Sequence, residues 1–182
     1  MTARQDGGVA PAVGGGGTTS EPQIDWPAGV ADDFCVTVNG VERSVTCRPQ
    51  TPLLYALRND WGLKGTRMGC ALGQCGACMV LVDGEPTASC SLPIQAVDGR
   101  RVTTVEGLSA EGRLGRLQGC FVEEQASQCG YCMSGVLICA TALLARNARP
   151  NRAEICQALD GNLCRCGSHN RVIRAVLRAV RS

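Results

Sequence analysis

Aromatic side chains are nearly missing from this sequence: two Trp, two Tyr and two Phe make up 3% of its 182 residues. The large residues that usually fill a core are scarce, so Ala, Val, Leu and Cys must fill it instead. Small domains with thin cores often need staples, either disulfide or metal. Histidine is reduced to one residue, His169. That excludes a Rieske-type iron, which takes two imidazoles, and argues against hydrolase chemistry. No apolar run approaches the ~20 residues of a membrane helix. The formal net charge is only +2, which leaves no basic footprint for nucleic acid. Neither a basic-plus-apolar leader nor a twin-arginine pair stands near the start, so secretion and disulfides are not expected. Thiolates kept reduced for metal, in a cytoplasmic protein, are the better expectation.

What is abundant is cysteine, thirteen in all. Residues 1–32 read as a tail rich in Gly, Pro, Ala and Thr, with Gly14 to Gly17 uninterrupted. Such a segment has little apolar surface to offset its ordering entropy. Trp26 is the exception, a candidate anchor on something else. From residue 33 to about 110 the pattern is mainly strand. Phe34, Val36 and Val38 alternate onto one face, and Asn39-Gly40 predicts a type I′ turn before Val41 to Cys47 return. Thr51-Pro52 opens a helix carrying Leu53, Leu54 and Leu57. After a Gly-rich cysteine loop come a strand from Met79 to Val82, the turn Asp83-Gly84, a strand reaching Cys90, and one more from Arg101 to Val105. Strands, one helix and a long loop predict a small β-grasp-like α+β domain.

Residues 111–182 change character. Leu114 to Gln125, Cys132 to Arg146, Arg152 to Leu159 and Arg171 to Val180 all read as helices, the third ended by Gly161 after Asp160. Val172, Ile173, Val176, Leu177 and Val180 share one face of the last. Four short helices predict a compact four-helix bundle.

Cys70, Cys75 and Cys78 stand in a C-x4-C-x2-C spacing with Cys90 further on, which is the plant-type [2Fe–2S] ferredoxin arrangement. Gly69, Gly73 and Gly76 allow unusual dihedrals that bring N–H groups to the sulfurs. An anionic cluster needs those donors. Zinc sites favour paired knuckles instead and rarely place a glycine at every bend. Cys129 and Cys132 form a C-x2-C at a helix start, and Cys164 and Cys166 a later C-x-C. Free N–H groups at a helix N-terminus suit an anionic cluster. Taken alone, that second set fits zinc as well.

The stretch from Thr51 to Pro93, then Gln128 to Cys132 (QCGYC), then Gly161 to Gly167 (GNLCRCG), resembles the iron–sulfur subunit of the xanthine oxidase family of molybdenum hydroxylases. The resemblance spans about residues 33–182. It implies a plant-type ferredoxin domain with a distal [2Fe–2S] cluster on Cys70, Cys75, Cys78 and Cys90. It also implies a helical domain with a proximal [2Fe–2S] cluster on Cys129, Cys132, Cys164 and Cys166. Gln128 and Cys166 are then expected near the molybdopterin of a large partner subunit. Most members follow the C-x-C with Thr-Gly-Tyr; Gly167, Ser168 and His169 stand here. That variant resembles the small subunits of isoquinoline 1-oxidoreductase and nicotinate dehydrogenases, which implies a cytochrome c-type electron acceptor rather than an FAD-binding subunit.

The remaining cysteines, Cys35, Cys47, Cys120, Cys139 and Cys156, are expected as small buried hydrophobes. Arg171, Arg174, Arg178 and Arg181 line one side of the last helix, a solvated face or a docking patch. Three functions fit these readings: an electron-relay subunit of a molybdenum hydroxylase, a free-standing ferredoxin shuttle, and a zinc-stapled interaction module. The plant-type loop weighs against zinc, and the second cysteine set weighs against a simple shuttle.

Overall fold

The computed structural model describes residues 31–109 and 112–181; most of the expected tail, Trp26 included, lies outside the described residues. Strand β1 (Asp32–Val38) pairs antiparallel with β2 (Val41–Cys47), joined by a turn in which Asn39 and Gly40 have φ of 51° and 80°. Both central residues of a type I′ turn need positive φ, which Asn and Gly tolerate. Helix α1 (Leu53–Tyr55) follows Pro52 and widens into a π turn over Ala56–Asp60. Leu53, Leu54 and Leu57 are fully buried, each worth about 1.5–3 kcal/mol of transfer free energy.

Strands β3 (Met79–Val82) and β4 (Glu85–Ala88) form a second hairpin, and β5 (Arg101–Thr103) closes the sheet in the order β2-β1-β5-β3-β4. Its β1–β5 pair is parallel and the others antiparallel. A five-stranded mixed sheet over a short helix is the expected β-grasp. Two predicted strands are shorter than read. The last ends at Thr103 and passes into a 3-10 turn over Val105–Leu108, and β4 stops at Ala88 before the cysteine it was expected to reach.

Helices α2 (Arg116–Glu123), α3 (Met133–Arg146), α4 (Arg152–Leu159) and α5 (His169–Arg181) make the second domain. Asn151 and Glu154 cap α4 reciprocally, at 2.7 and 3.0 Å, which satisfies two otherwise orphan N–H groups. The third helix ends at Leu159 with Asp160 as its C-cap, just before Gly161 as expected, although Gly161 does not take a positive φ. The helix closes by the Asn162 N–H bonding the Leu159 carbonyl at 2.9 Å. Val172, Ile173 and Val176 are buried as the periodicity required. The arginines opposite are not simply solvated: Arg174 and Arg178 pair with Glu124, and Arg171 donates to the Gln125 carbonyl. Together they hold α5 to the end of α2.

Helix α3 packs on the sheet through Ile138 and Ala142 against Leu81. The two domains therefore meet along β3, the strand that leaves the Gly-rich cysteine loop. Of the spare cysteines, Cys120 and Cys139 are buried, but Cys156 is exposed and Cys35 and Cys47 are half-buried. Cys156 follows Ile155, which takes the inward face of α4 in its place.

Candidate metal centres

The loop before β3 is shaped by residues that take left-handed backbone: Ala71, Gly73 and Gly76 have φ of 57°, 71° and 70°. At Gly69 the constraint is space, since a Cβ there would stand 2.5 Å from the Cys75 sulfur. The folded loop aims its N–H groups at thiols. Leu72 and Gln74 both donate to Cys70 Sγ, Cys70 donates to Cys75 Sγ, and Gly73 donates to Cys90 Sγ, each at 3.3 Å. Cys90 arrives from beyond β4 because Ser89 bonds the Cys78 carbonyl through its hydroxyl at 2.7 Å. The thiols of Cys78 and Cys90 are in hydrogen-bonding contact, as are those of Cys70 and Cys75.

The second set is built from two inter-helix loops. Cys129 and Cys132 flank Gly130, which has φ of 76°, just before α3. Cys164 and Cys166 lie between α4 and α5. Their thiols also meet in pairs, Cys129 with Cys166 and Cys132 with Cys164. The Ser168 hydroxyl stands 3.2 Å from Cys164 Sγ. Gln128 donates through Nε2 to the Cys166 carbonyl at 3.4 Å, which ties it to the rim of this site.

Acidity follows position. The N–H groups of Leu72 and Gln74 lower Cys70 to about 7. Burial pushes Cys78 up to about 11 and Cys132 up to about 12. The Tyr131 N–H and the Cys166 thiol lower Cys129. Each set thus combines readily ionised thiols at its surface with buried ones that need metal charge to lose their protons.

These arrangements fit a two-iron cluster better than a single ion. A [2Fe–2S] cluster takes two thiolates on each of two irons, and each set presents two pairs.

The two sets face one another across a cavity of about 250 Å³ lined by Cys70, Cys75, Cys129, Cys132 and Cys164. Bonds cross beside it. The Leu163 N–H reaches the Cys75 carbonyl at 3.0 Å, Asn162 Nδ2 the Gly76 carbonyl at 3.3 Å, and Ser134 Oγ the Ala77 carbonyl at 3.4 Å. The Tyr131 hydroxyl donates to the Met68 carbonyl, with the Arg67 guanidinium 5.3 Å from its ring centre. Sequence reading missed these joining residues, because neither a backbone N–H nor a lone Tyr carries a motif.

A ferredoxin-like domain and a helical domain, each gathering four thiols and each turning part of its set toward one shared cavity, define a two-site iron–sulfur electron-transfer protein. A family model for the 2Fe-2S iron-sulfur cluster binding domain matches residues 36–109, and one for the [2Fe-2S] binding domain matches residues 104–177. One subunit of the nicotinate dehydrogenase of Pseudomonas putida is 48% identical, covering 78% of this chain and 90% of that protein. The alpha chain of isoquinoline 1-oxidoreductase from Brevundimonas diminuta is 44% identical, covering 79% and 95%. The solved quinoline 2-oxidoreductase of Pseudomonas putida 86 includes a chain that superposes with a TM-score of 0.80 at 39% identity, over 84% of this chain and 94% of that one. The chain belongs to the iron–sulfur small subunits of the xanthine oxidase family of molybdenum hydroxylases. It is a non-catalytic subunit of an oxidoreductase with two [2Fe–2S]-binding domains. No described helix is long and apolar enough to cross a membrane.

Proposed function

We propose that this subunit relays electrons from a molybdopterin centre on a large partner subunit to an external acceptor. Cys129, Cys132, Cys164 and Cys166 hold the proximal cluster, and Cys70, Cys75, Cys78 and Cys90 the distal one. A [2Fe–2S] cluster supplies one-electron storage at each site. This chain makes and breaks no substrate bond. Its residues gather the thiolates, aim N–H groups at them and bring the two sites together. Gln128, held on the Cys166 carbonyl, faces the pterin with Cys166. The partner's substrate is an N-heteroaromatic ring or an aldehyde, and the acceptor is a cytochrome c-type protein in preference to a flavin subunit.

One observation carries this reading: thiols of both sets, Cys70 and Cys75 of one and Cys129, Cys132 and Cys164 of the other, line the same cavity. A free-standing shuttle needs only one set. An apolar groove of about 590 Å³ next to Ser127, with Leu114 and Val122 exposed on it, fits burial under the large subunit. We place the complex in a reducing, cytoplasmic setting, where thiols stay free for metal.

The test is composition and spectrum. The purified chain should carry about four irons and four labile sulfides, two of each per cluster. Dithionite reduction should give two distinct spin-half EPR signals, and a large molybdenum-binding subunit should co-purify. Stoichiometric zinc without an EPR signal would falsify the relay.

A further inference from the structure

Ser168 is buried, 3% exposed, in the short loop that runs from Cys166 into α5. Its carbonyl accepts the Arg171 and Val172 N–H groups at 2.9 and 3.0 Å, which makes it the N-cap residue of that helix. At an N-cap, a serine hydroxyl ordinarily accepts from the N–H of the second or third helical residue. Here the hydroxyl instead lies 3.2 Å from the sulfur of Cys164. Gly167, with φ of 70°, reverses the chain so that Ser168 points back across the loop. His169 fixes that reversal through Nε2 on the Asn162 carbonyl, 3.1 Å away.

A metal-bound cysteine is a thiolate and has no proton to donate. The direction of the Ser168–Cys164 bond is therefore settled once metal binds: the hydroxyl donates. The usual Thr-Gly-Tyr continuation of this motif places a glycine where Ser168 stands, and glycine has no hydroxyl.

We propose that Ser168 is a positioning residue for the proximal site: its hydroxyl donates to the Cys164 thiolate and so raises the reduction potential of the cluster held there. The inference rests on the ligand assignment above. One-electron reduction adds one negative charge to the cluster and its sulfurs, and the electron in the test comes from dithionite through mediators. A donor fixed on one of those sulfurs stabilises the reduced form more than the oxidised one, and hydrogen bonds to sulfur are one of the protein's levers on potential. Partial burial strengthens the bond.

The experiment is an EPR-monitored redox titration of the co-purified complex, with the wild type beside Ser168→Ala and Ser168→Thr. At the wild-type midpoint of the proximal signal, Ser168→Ala should show a three- to tenfold lower ratio of reduced to oxidised cluster. That is a negative shift of about 30–60 mV at ~59 mV per tenfold for one electron. The distal signal should keep its midpoint, and Ser168→Thr, which retains the hydroxyl, should return toward wild type. Ser168→Gly carries the same expectation should the alanine variant fail to take up iron. An unmoved proximal midpoint in an iron-loaded variant overturns the role of Ser168 and leaves the relay standing. Equal shifts in both signals overturn it too, because they report a general loosening. A wild type without two iron–sulfur signals fails at the earlier step, the relay itself.

Discussion

The backbone N–H of Leu163 donates to the carbonyl of Cys75 across 3.0 Å, from the residue before Cys164 to a residue of the ferredoxin loop. Two cysteines of different sites are thereby joined by a peptide unit and one hydrogen bond. Leu163 has an exposed side chain, so its value at this place lies in its backbone. Asn162 beside it bonds the Gly76 carbonyl, which ties the same two loops a second time.

Leu163→Pro removes that N–H and should slow electron arrival at the Cys70 site, while costing roughly 1 kcal/mol for the lost bond. Leu163→Ala keeps the N–H and should behave as wild type. Rapid-freeze EPR after mixing with reductant separates the two. If the distal signal grows equally fast in the proline variant, this peptide bridge is not part of the path.

Gly135 tests the contact between domains. It lies inside α3, where alanine ordinarily gains about 1 kcal/mol over glycine. A Cβ at this position, however, would stand 1.8 Å from the Gly76 carbonyl oxygen. Overpacking of that kind costs about 1–3 kcal/mol, so Gly135→Ala should destabilise the chain and push α3 off the cysteine loop. Urea denaturation reads the sign. A stabilised variant means that the two domains do not pack this closely in solution.

Sequence patterning made the elements legible because it is local. Strand alternation at Phe34, Val36 and Val38, the Asn39-Gly40 turn and the α5 stripe all follow from side-chain period and turn chemistry. Cysteine spacing likewise pointed to two four-thiol sets, because cluster ligation tolerates few spacings. Three things were not legible. How α4 closes before Gly161 depends on an Asn162 N–H that no propensity reports. Exposure of Cys156 depends on which face of α4 turns inward, and Ile155 takes it. The joining residues Leu163, Gly135 and Tyr131 act through tertiary contacts between distant segments, which leave no periodic trace.

Thiol acidity predicts how metal loading depends on pH. Cys70 and Cys164 sit at about 7, whereas burial raises Cys78 to about 11 and Cys132 to about 12. Ligation requires thiolates and releases their protons, so acid competes with metal and loading must weaken as pH falls. The window opens where the surface thiols protonate, near the value of Cys70 and Cys164. Iron–sulfide reconstitution of the metal-free chain should therefore be slower a unit below that value than a unit above it. Proton release on loading should come mainly from the buried thiols, and a pH-indicator assay in weak buffer measures it. Loading without proton release rules out the raised values.

The order of the two sites is the most direct test of the relay. Removing one ligand from either should interrupt it, but at different points. With the Cys129–Cys166 set nearer the partner, Cys132→Ala should leave the Cys70 site oxidised when substrate reaches the large subunit. In Cys75→Ala the proximal site should still be reduced, while transfer to the external acceptor fails. Each variant must first be shown to fold and bind its partner, because metal binding and folding are coupled. The risk differs between them. Cys132 is buried at the start of α3 and Cys75 is half-buried in a loop, so Cys132→Ala endangers its domain more. Cys129→Ala, at an exposed thiol of the same set, supplies a milder variant with the same expectation. Circular dichroism and co-purification select the folded ones, and rapid-freeze EPR after mixing with substrate reads the order. Normal reduction of the Cys70 site in a folded Cys132→Ala or Cys129→Ala complex means that electrons enter at the ferredoxin domain, and the proposed direction is reversed.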